Sequence, residues 1–317
     1  MSKFSRHKLL FKIFRWKESN LSHHQFVIIL SALIGFAAGL VAVALKNLTY
    51  LIQYLVEKGL VFTFEQVYYF VFPIIGLFLT FVVLDKILKA RIGQGISSTL
   101  FAISQRKGFV RRIQSYASLL TAPLTVGLGG SVGLESPTVA TSAGLGSIFS
   151  RYFKVNQATR TLLIGCAAAG AMSSLFKAPI AAIIFAIEIF ALDLTLLSMI
   201  PLLVASVSAI FTSYFFFGSD IILQPQITSE FHLGDVLYYV VLAIFCAGFS
   251  LVFVKIYTRT FKLFEKIKSK IYRVFIGGII LGLFLFGFPQ LYGEGYPFMN
   301  QLLAGNYTFW QESQLNF

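Results

Sequence analysis

The chain is poor in the residues that carry most catalytic and metal chemistry. Its 317 residues include two cysteines, four histidines and 13 acidic side chains. Cys166 and Cys246 both lie in apolar segments, where they are expected to be small core residues, so no disulfide framework is predicted. The sequence contains no His-rich, Cys-rich or Walker-type pattern. We therefore expect no metal ion, no cofactor and no enzyme activity.

Apolar residues dominate instead. They make up 57% of the chain, which includes 35 phenylalanines, while charged residues make up 12%, and the mean hydropathy is +0.79. Several apolar stretches are shorter than the roughly 20 residues that a full membrane crossing needs. Short helices interrupted by Gly or Pro are typical of solute pathways. The predicted fold is an all-α polytopic membrane protein. The stretches span residues 26–45, 67–84, 113–128, 138–150, 161–173, 178–192, 195–217, 235–254 and 274–291.

The net charge of +13 comes from basic residues that lie mostly between the apolar stretches. One cluster, within residues 1–21, precedes the first span, and a second, within residues 255–273, follows the span at 235–254. The positive-inside rule places both on the cytoplasmic side. We expect a multi-pass protein of the plasma (inner) membrane with a basic cytoplasmic N-terminal segment, in contact with membrane lipid. No nucleic-acid motif accompanies the charge, so no nucleic-acid partner is expected.

A glycine-rich segment at residues 127–139 precedes a predicted helix. Pro137 suits the first turn of a helix, so the free amides of that turn should lie near Leu134, Glu135 and Ser136. Such amides attract anions. The Glu135 carboxylate would compete with a free anion for this position, and protonation or movement of its side chain would open it. The alternative is that Glu135 only stabilises the helix dipole, although ionisable groups at membrane depth are usually functional.

The chain contains an internal repeat. An offset of 209 residues aligns the span at 26–45 with the span at 235–254, and an offset of 200 aligns residues 93–97 with residues 293–297. The basic cluster precedes the first copy and follows the second, which predicts that the two copies cross the membrane in opposite directions. We expect a first transmembrane repeat at 22–217. Residues 218–317 would form a linker and the incomplete start of a second, inverted repeat, as in a truncated chain.

Three motifs resemble those of the CLC family of chloride channels and proton-coupled chloride exchangers. Gly133-Leu-Glu-Ser-Pro137 resembles the family's glutamate gate motif, and Gly93-Gln-Gly-Ile-Ser97 resembles the helix start beneath its central anion. The third, residues 176–188, resembles its Phe-Asn-Ala-Pro segment and the following glutamate-bearing helix. The resemblance implies a CLC-like inverted-repeat bundle, a homodimer, and transport of chloride or a similar small anion. Glu135 would be the gate, and the anion-binding residues would be Gln94, Gly95, Ile96, Leu134 and Ser136.

Two departures from the family pattern bear on mechanism. Gln94 replaces a serine that contacts the central anion in chloride-binding members, which leaves the anion selectivity open. Exchangers of the family generally carry adjacent glutamates where this chain has Glu188 and Ile189. Ile189 cannot carry a proton, so these possible inner-pathway positions favour channel-like conduction. Glu188 could instead be a structural carboxylate paired inside the bundle. The alternatives are a proton-coupled antiporter, with protons as a second substrate, and a truncated membrane fragment that does not transport.

Overall fold

The structure is a computed structural model that describes residues 22–60, 65–89, 95–218, 222–223 and 232–305. Within these ranges the chain forms α-helices, a π-helical turn at Val83–Ile87, 3-10 turns at Leu233–Asp235 and Pro289–Leu291, and no β-strand. This confirms the all-α prediction. In chain order the helices are α1 (His23–Leu60), α2 (Glu65–Val82), α3 (Gly95–Gln105), α4 (Arg112–Gly127), α5 (Glu135–Tyr152), α6 (Gln157–Phe176), α7 (Pro179–Phe190), α8 (Leu196–Phe217), α9 (Val236–Glu265), α10 (Lys270–Gly287) and α11 (Tyr296–Leu303).

Six segments among the described residues are long and apolar enough to cross a membrane. Their number agrees with the predicted multi-pass integral membrane protein. The remaining helices are shorter or less apolar, as expected for the interrupted helices of a solute pathway. The six segments are His23–Val56, Val67–Ile87, Gln157–Phe176, Leu196–Phe217, Leu233–Glu265 and Lys270–Gly287.

Helices α1, α5, α6 and α8 form the core. Small residues allow these helices to approach closely: a Cβ atom at Gly35 of α1 would lie 2.6 Å from the Cα atom of Ala205 on α8. A Cβ at Gly146 of α5 would lie 2.7 Å from the carbonyl oxygen of Leu163 on α6. Close packing of small residues is a main source of helix association in lipid, where burial of apolar surface contributes little.

A second packing unit consists of α2 and α10. A Cβ atom at Gly282 of α10 would lie 2.5 Å from the carbonyl oxygen of Phe70 on α2. Lys270, at the start of α10, forms an ion pair of 2.7 Å with Asp85, in the π-helical turn that continues α2. In the turn that follows α10, the Tyr292 ring packs against the rings of Tyr68 and Tyr69 on α2, so this turn lies beside the unit.

Helix α9 differs from the other long helices because its side chains are exposed along nearly its whole length. The prediction that Cys246 is a core residue is therefore wrong for the described chain, since Cys246 lies exposed on α9. Cys166 on α6 is buried, as predicted. Hydropathy identified α9 as a span, but it could not distinguish a protein core from a surface that faces lipid or another polypeptide.

The order of the helices agrees with the predicted repeat. A long helix, a medium helix and a short helix follow one another in α1, α2 and α3, with 38, 18 and 11 residues. The same order recurs in α9, α10 and α11, with 30, 18 and 8 residues. The domain boundaries and the extent of the second repeat stay predictions, and the basic segment at residues 1–21 lies outside the described residues.

Candidate functional site

The start of α5 lies where the sequence predicted it. Glu135 is the first helical residue, and Leu134 is the N-cap residue, with no side-chain hydrogen bond to the helix. Leu134 is buried against Leu45 and Val126. The Leu134 carbonyl accepts hydrogen bonds from the amide and the hydroxyl of Thr138, at 3.0 and 2.6 Å. The first amides of α5 have no acceptor within their own helix. This end of α5 therefore carries the partial positive charge that attracts an anion.

The side chain of Glu135 folds back over the glycine segment. A Cβ atom at Gly133 would overlap Oε2 of Glu135 and would lie 2.7 Å from its carboxyl carbon. Gly133 has no left-handed φ angle, so the need for glycine here comes from the carboxylate and not from the backbone. On its other side, Oε1 of Glu135 accepts a hydrogen bond from the Tyr296 hydroxyl. The carboxylate is thus held between its own loop and the first residue of α11.

Tyr296 follows a turn that contains a second carboxylate, Glu294. Gly293 and Gly295 flank Glu294 with φ angles of +68° and +76°, which glycine adopts more readily than other residues. This turn lies outside the membrane-spanning helices. Burial, and then the nearby Glu135 carboxylate, raise the pKa of Glu294 to about 7, and Lys46 on α1 opposes this shift. Burial and the hydrogen bond to Glu135 also raise the pKa of the Tyr296 hydroxyl, which therefore acts as the donor.

The start of α3 meets the start of α5. Gly95, the first residue of α3, has a φ angle of +45°, and a Cβ atom there would overlap the Ser136 hydroxyl oxygen. Ile96 packs, partly buried, against the core. The structure thus brings Gly95 and Ser136 into contact. Leu134 and Glu135 are the two residues that precede Ser136 in the chain, so they lie at the same helix start. Gln94 lies outside the described residues.

Among the described residues, the possible inner-pathway residues Glu188 and Ile189 form no hydrogen bond and no ion pair with Glu135. Glu188 and Ile189 lie near the end of α7, which packs against α6 and α8. Ile189 is partly buried against the core, whereas Glu188 is exposed. Among the described residues Glu188 has no hydrogen bond and no ion pair. The alternative that Glu188 is a carboxylate paired inside the bundle is therefore wrong for the described part of the chain.

Sequence reasoning missed Tyr296 and Glu294 as site residues. The repeat had aligned residues 293–297 with residues 93–97, so it contained a signal that the second segment also forms a helix start. It gave no role to Tyr296, because the hydrogen bond to Glu135 joins residues that are 161 positions apart in the sequence.

Comparison with known proteins gives a consistent result. A family profile described as voltage gated chloride channel matches residues 76–315. A putative chloride channel protein ClcB-like from Ralstonia nicotianae is 27% identical over 295 residues, which cover 89% of this chain and 68% of the relative. A slow cyanobacterial Cl⁻/H⁺ antiporter has a TM-score of 0.74 at 18% identity, covering 93% and 69% of the two chains. A CLC-type fluoride/proton antiporter has a TM-score of 0.73 at 19% identity, covering 92% and 73%. The two antiporters show that the fold is shared.

Proposed function

Because the chain belongs to the voltage gated chloride channel family, we propose that it carries chloride or a similar small anion across the membrane through a pathway controlled by Glu135. The observation that supports this most directly is the placement of the Glu135 carboxylate. It lies at the first turn of α5, held between Gly133 and Tyr296. A negative group therefore lies beside helix ends that attract anions.

In the proposed mechanism, backbone amides at the starts of α5 and α3 replace part of the hydration shell of the anion. The ionised Glu135 carboxylate competes with the anion for this positive region. Protonation removes that attraction and weakens the hydrogen bond from Tyr296, so the side chain leaves the position. Gln94, Gly95, Ile96, Leu134 and Ser136 are the proposed anion-binding residues, and the contact between Gly95 and Ser136 supports a single site built from both helix starts.

Channel-like conduction remains the proposed mode of transport, because Ile189 has no group that can carry a proton. A proton-coupled antiporter is the second candidate. One observation favours it: the described chain places another carboxylate, Glu294, in electrostatic range of Glu135. The two solved structures compared above are antiporters by name, one for chloride and one for fluoride. A membrane protein without transport activity is the third candidate, and it predicts no anion flux.

We also propose a homodimer in the plasma membrane, with one pathway in each subunit and the N-terminus in the cytoplasm. The dimer interface is expected around residues 178–217, and exposed apolar side chains on this segment support that placement. Ile180, Leu196 and Phe215 are 72%, 78% and 84% exposed. The basic cluster at residues 255–273 supports a cytoplasmic position for the connection between α9 and α10.

The proposed function can be tested in liposomes that contain the purified 317-residue chain. Anion efflux and proton movement are recorded together for the parent and for Glu135→Gln, with Glu265→Gln at the exposed end of α9 as the control. We expect Glu135→Gln to make the flux independent of pH, because glutamine cannot ionise, while the control behaves like the parent. Absence of flux from the parent would reject transport. Unchanged flux and unchanged pH dependence in Glu135→Gln would reject Glu135 as the gate.

The same recordings separate the modes of transport. For a channel, an imposed chloride gradient moves no protons. For an antiporter, the gradient drives protons in the opposite direction to the anion. Proton movement that is driven by the chloride gradient, in the direction opposite to chloride, would therefore overturn the proposed passive conduction and leave the anion pathway in place.

A further inference from the structure

Two short connections between helices meet at one end of the bundle. The first, residues 106–111, joins α3 to α4, and the second, residues 153–156, joins α5 to α6. The segments 106–112 and 151–160, which we call the basic patch, carry seven basic residues and no acidic residue. The ring nitrogen Nε2 of His23, at the start of α1, lies 3.4 Å from the Thr159 hydroxyl. The basic patch is therefore at the end of the bundle that is proposed above to face the cytoplasm.

Arg160 ties the two connections together. The residue is buried, with 8% of its surface exposed. Its guanidinium donates hydrogen bonds to the Lys107 carbonyl at 2.7 Å and to the Val155 carbonyl at 3.1 Å. Gly108 has a φ angle of +79°, and a Cβ atom there would lie 2.9 Å from Cδ of Arg160. The first connection is therefore folded closely around the Arg160 side chain.

A second guanidinium, that of Arg151, lies on the same aromatic ring. Arg151 donates a hydrogen bond of 3.2 Å to the Val110 carbonyl. The central guanidinium carbons of Arg160 and Arg151 lie 3.7 and 5.2 Å from the centroid of the Phe109 ring. The face of an aromatic ring attracts cations. Carbonyl groups and one ring thus hold two like charges close together.

The described chain does not neutralise these two charges. Carbonyl groups and aromatic rings orient a guanidinium, but they carry no net negative charge. Neither arginine forms an ion pair with a described carboxylate, and the buried Nε groups of both have no hydrogen-bond partner there. Glu135 is the single acidic residue between positions 86 and 187, and it starts α5 about 24 Å from Arg151 along the helix axis. Because unpaired charge is costly to bury, the basic patch should bind an anion.

We propose that the basic patch binds the phosphate headgroup of an anionic phospholipid. The guanidiniums of Arg151 and Arg160 supply fixed positive charge, and Lys107 and Lys154 supply exposed ammonium groups at the two turns. Both lysines have left-handed φ angles, +51° and +49°, at positions after a helix where glycine or asparagine is usual. Each turn therefore carries a positive charge where the backbone alone would favour an uncharged residue.

The surroundings favour a lipid over a soluble anion. The Phe109 ring is partly exposed and Tyr152 is exposed beside Arg151, and aromatic side chains of this kind are enriched where helices leave the hydrocarbon region. Basic pockets between helices on the cytoplasmic side are suited to anionic headgroups. The inference goes beyond the proposed transport function and does not depend on it, because the basic patch and Glu135 lie at opposite ends of α5.

The test measures lipid binding to the full 317-residue chain in detergent. Native mass spectrometry follows complexes with phosphatidylglycerol as the lipid is titrated. Phosphatidylethanolamine is titrated in parallel, because its ammonium group offsets the phosphate charge, and inorganic phosphate is added as a soluble competitor. We expect phosphatidylglycerol to bind about tenfold more tightly than phosphatidylethanolamine. Inorganic phosphate should leave the bound lipid in place.

Two exposed lysines provide the main variant. Lys107→Gln combined with Lys154→Gln removes two charges and keeps the carbonyl that Arg160 contacts, so the affinity for phosphatidylglycerol should fall about 25-fold. Lys255→Gln combined with Lys262→Gln removes the same charge from exposed positions of α9. This matched control should bind the lipid like the parent.

A conservative variant tests the guanidinium itself. Arg151→Lys keeps the charge but loses the planar fork of donors, so the affinity for phosphatidylglycerol should fall about tenfold. Gel filtration and circular dichroism verify folding. The double lysine variant keeps the test decisive if Arg151→Lys does not fold, because both lysine side chains are exposed.

The outcomes separate a built site from general attraction to a positive protein. Equal affinity for the two lipids would overturn the inference, and so would an equal loss in the patch variant and in the α9 control. Release of phosphatidylglycerol by inorganic phosphate would overturn the choice of a lipid as the ligand. None of these measurements uses anion flux, so failure of the basic patch leaves the proposed transport function in place. Lipid binding as expected in a chain without anion flux would support the patch and reject transport.

Discussion

Replacement of Gly133 by alanine tests the placement of the Glu135 carboxylate without changing any ionisable group. The added methyl group would overlap Oε2 of Glu135 and would lie 2.7 Å from its carboxyl carbon and 3.0 Å from Oε1. The φ angle of Gly133 lies outside the left-handed region, so the backbone should accept alanine. The side chain of Glu135 must therefore move away, and it loses the hydrogen bond from Tyr296.

The size of the effect follows from that hydrogen bond. A hydrogen bond to a charged group contributes about 1.5 to 3 kcal/mol. Because about 1.4 kcal/mol corresponds to a tenfold change in an equilibrium constant, its loss should shift the ratio of held to displaced carboxylate by about 10- to 100-fold. We expect Gly133→Ala to raise anion efflux at mildly alkaline pH toward the level of Glu135→Gln. We also expect the flux to lose most of its dependence on pH.

The assay is chloride efflux from liposomes across a range of pH, with circular dichroism and gel filtration to verify folding. Gly248→Ala is the matched control, because a Cβ atom at Gly248 on α9 meets no other atom within 4 Å. In a Glu135→Ala background, Gly133→Ala has no carboxylate to displace and should add nothing. A folded Gly133→Ala protein with the flux and pH dependence of the parent would refute the reasoning.

Two further substitutions test the contacts between helices. Gly95→Ala places a methyl group on the Ser136 hydroxyl and forces alanine into a left-handed φ angle. Chloride affinity measured by calorimetry should therefore fall about tenfold, and Gly95→Ala combined with Ser136→Gly should recover part of the loss. A chloride affinity of Gly95→Ala equal to that of the parent would contradict the contact between the helix starts. Gly35→Ala pushes α1 away from Ala205 of α8 and should cost about 1 to 3 kcal/mol, seen as a lower melting temperature in detergent. Gly287→Ala, which has open space at its Cβ position, should melt like the parent, and equal melting temperatures for all three proteins would reject close packing at Gly35.

The start of α5 was predictable from local sequence because its determinants are local. Pro137 suits the first turn of a helix, and the glycines before it allow a loop that brings Glu135 to the helix end. The predicted amides near Leu134, Glu135 and Ser136 agree with an α5 that begins at Glu135. The contact between Gly95 and Ser136 is consistent with the predicted grouping of these positions, although their anion-binding role stays a proposal.

The partners of Glu135 were not predictable in the same way. Tyr296 reaches Glu135 from the far end of the described chain, and no local pattern specifies which of 14 tyrosines does so. Glu294 lies in the repeated segment at residues 293–297, but the repeat gives its carboxylate no role, because its burial and its nearness to the charge of Glu135 exist only in the folded chain. The exposed surface of α9 was missed for a different reason: hydropathy measures affinity for an apolar environment and cannot say whether lipid or protein supplies it.

The hydrogen bond between Tyr296 and Glu135 has a consequence for biosynthesis. Ribosomes make the chain from its amino end, so α1, α5, α6 and α8 all leave the ribosome before Tyr296. The helices of the core and the Glu135 carboxylate are therefore present while the residue that holds this carboxylate is still missing. The restraint on Glu135 can form only after α10 has been made, which makes it one of the last contacts of the described chain to be completed.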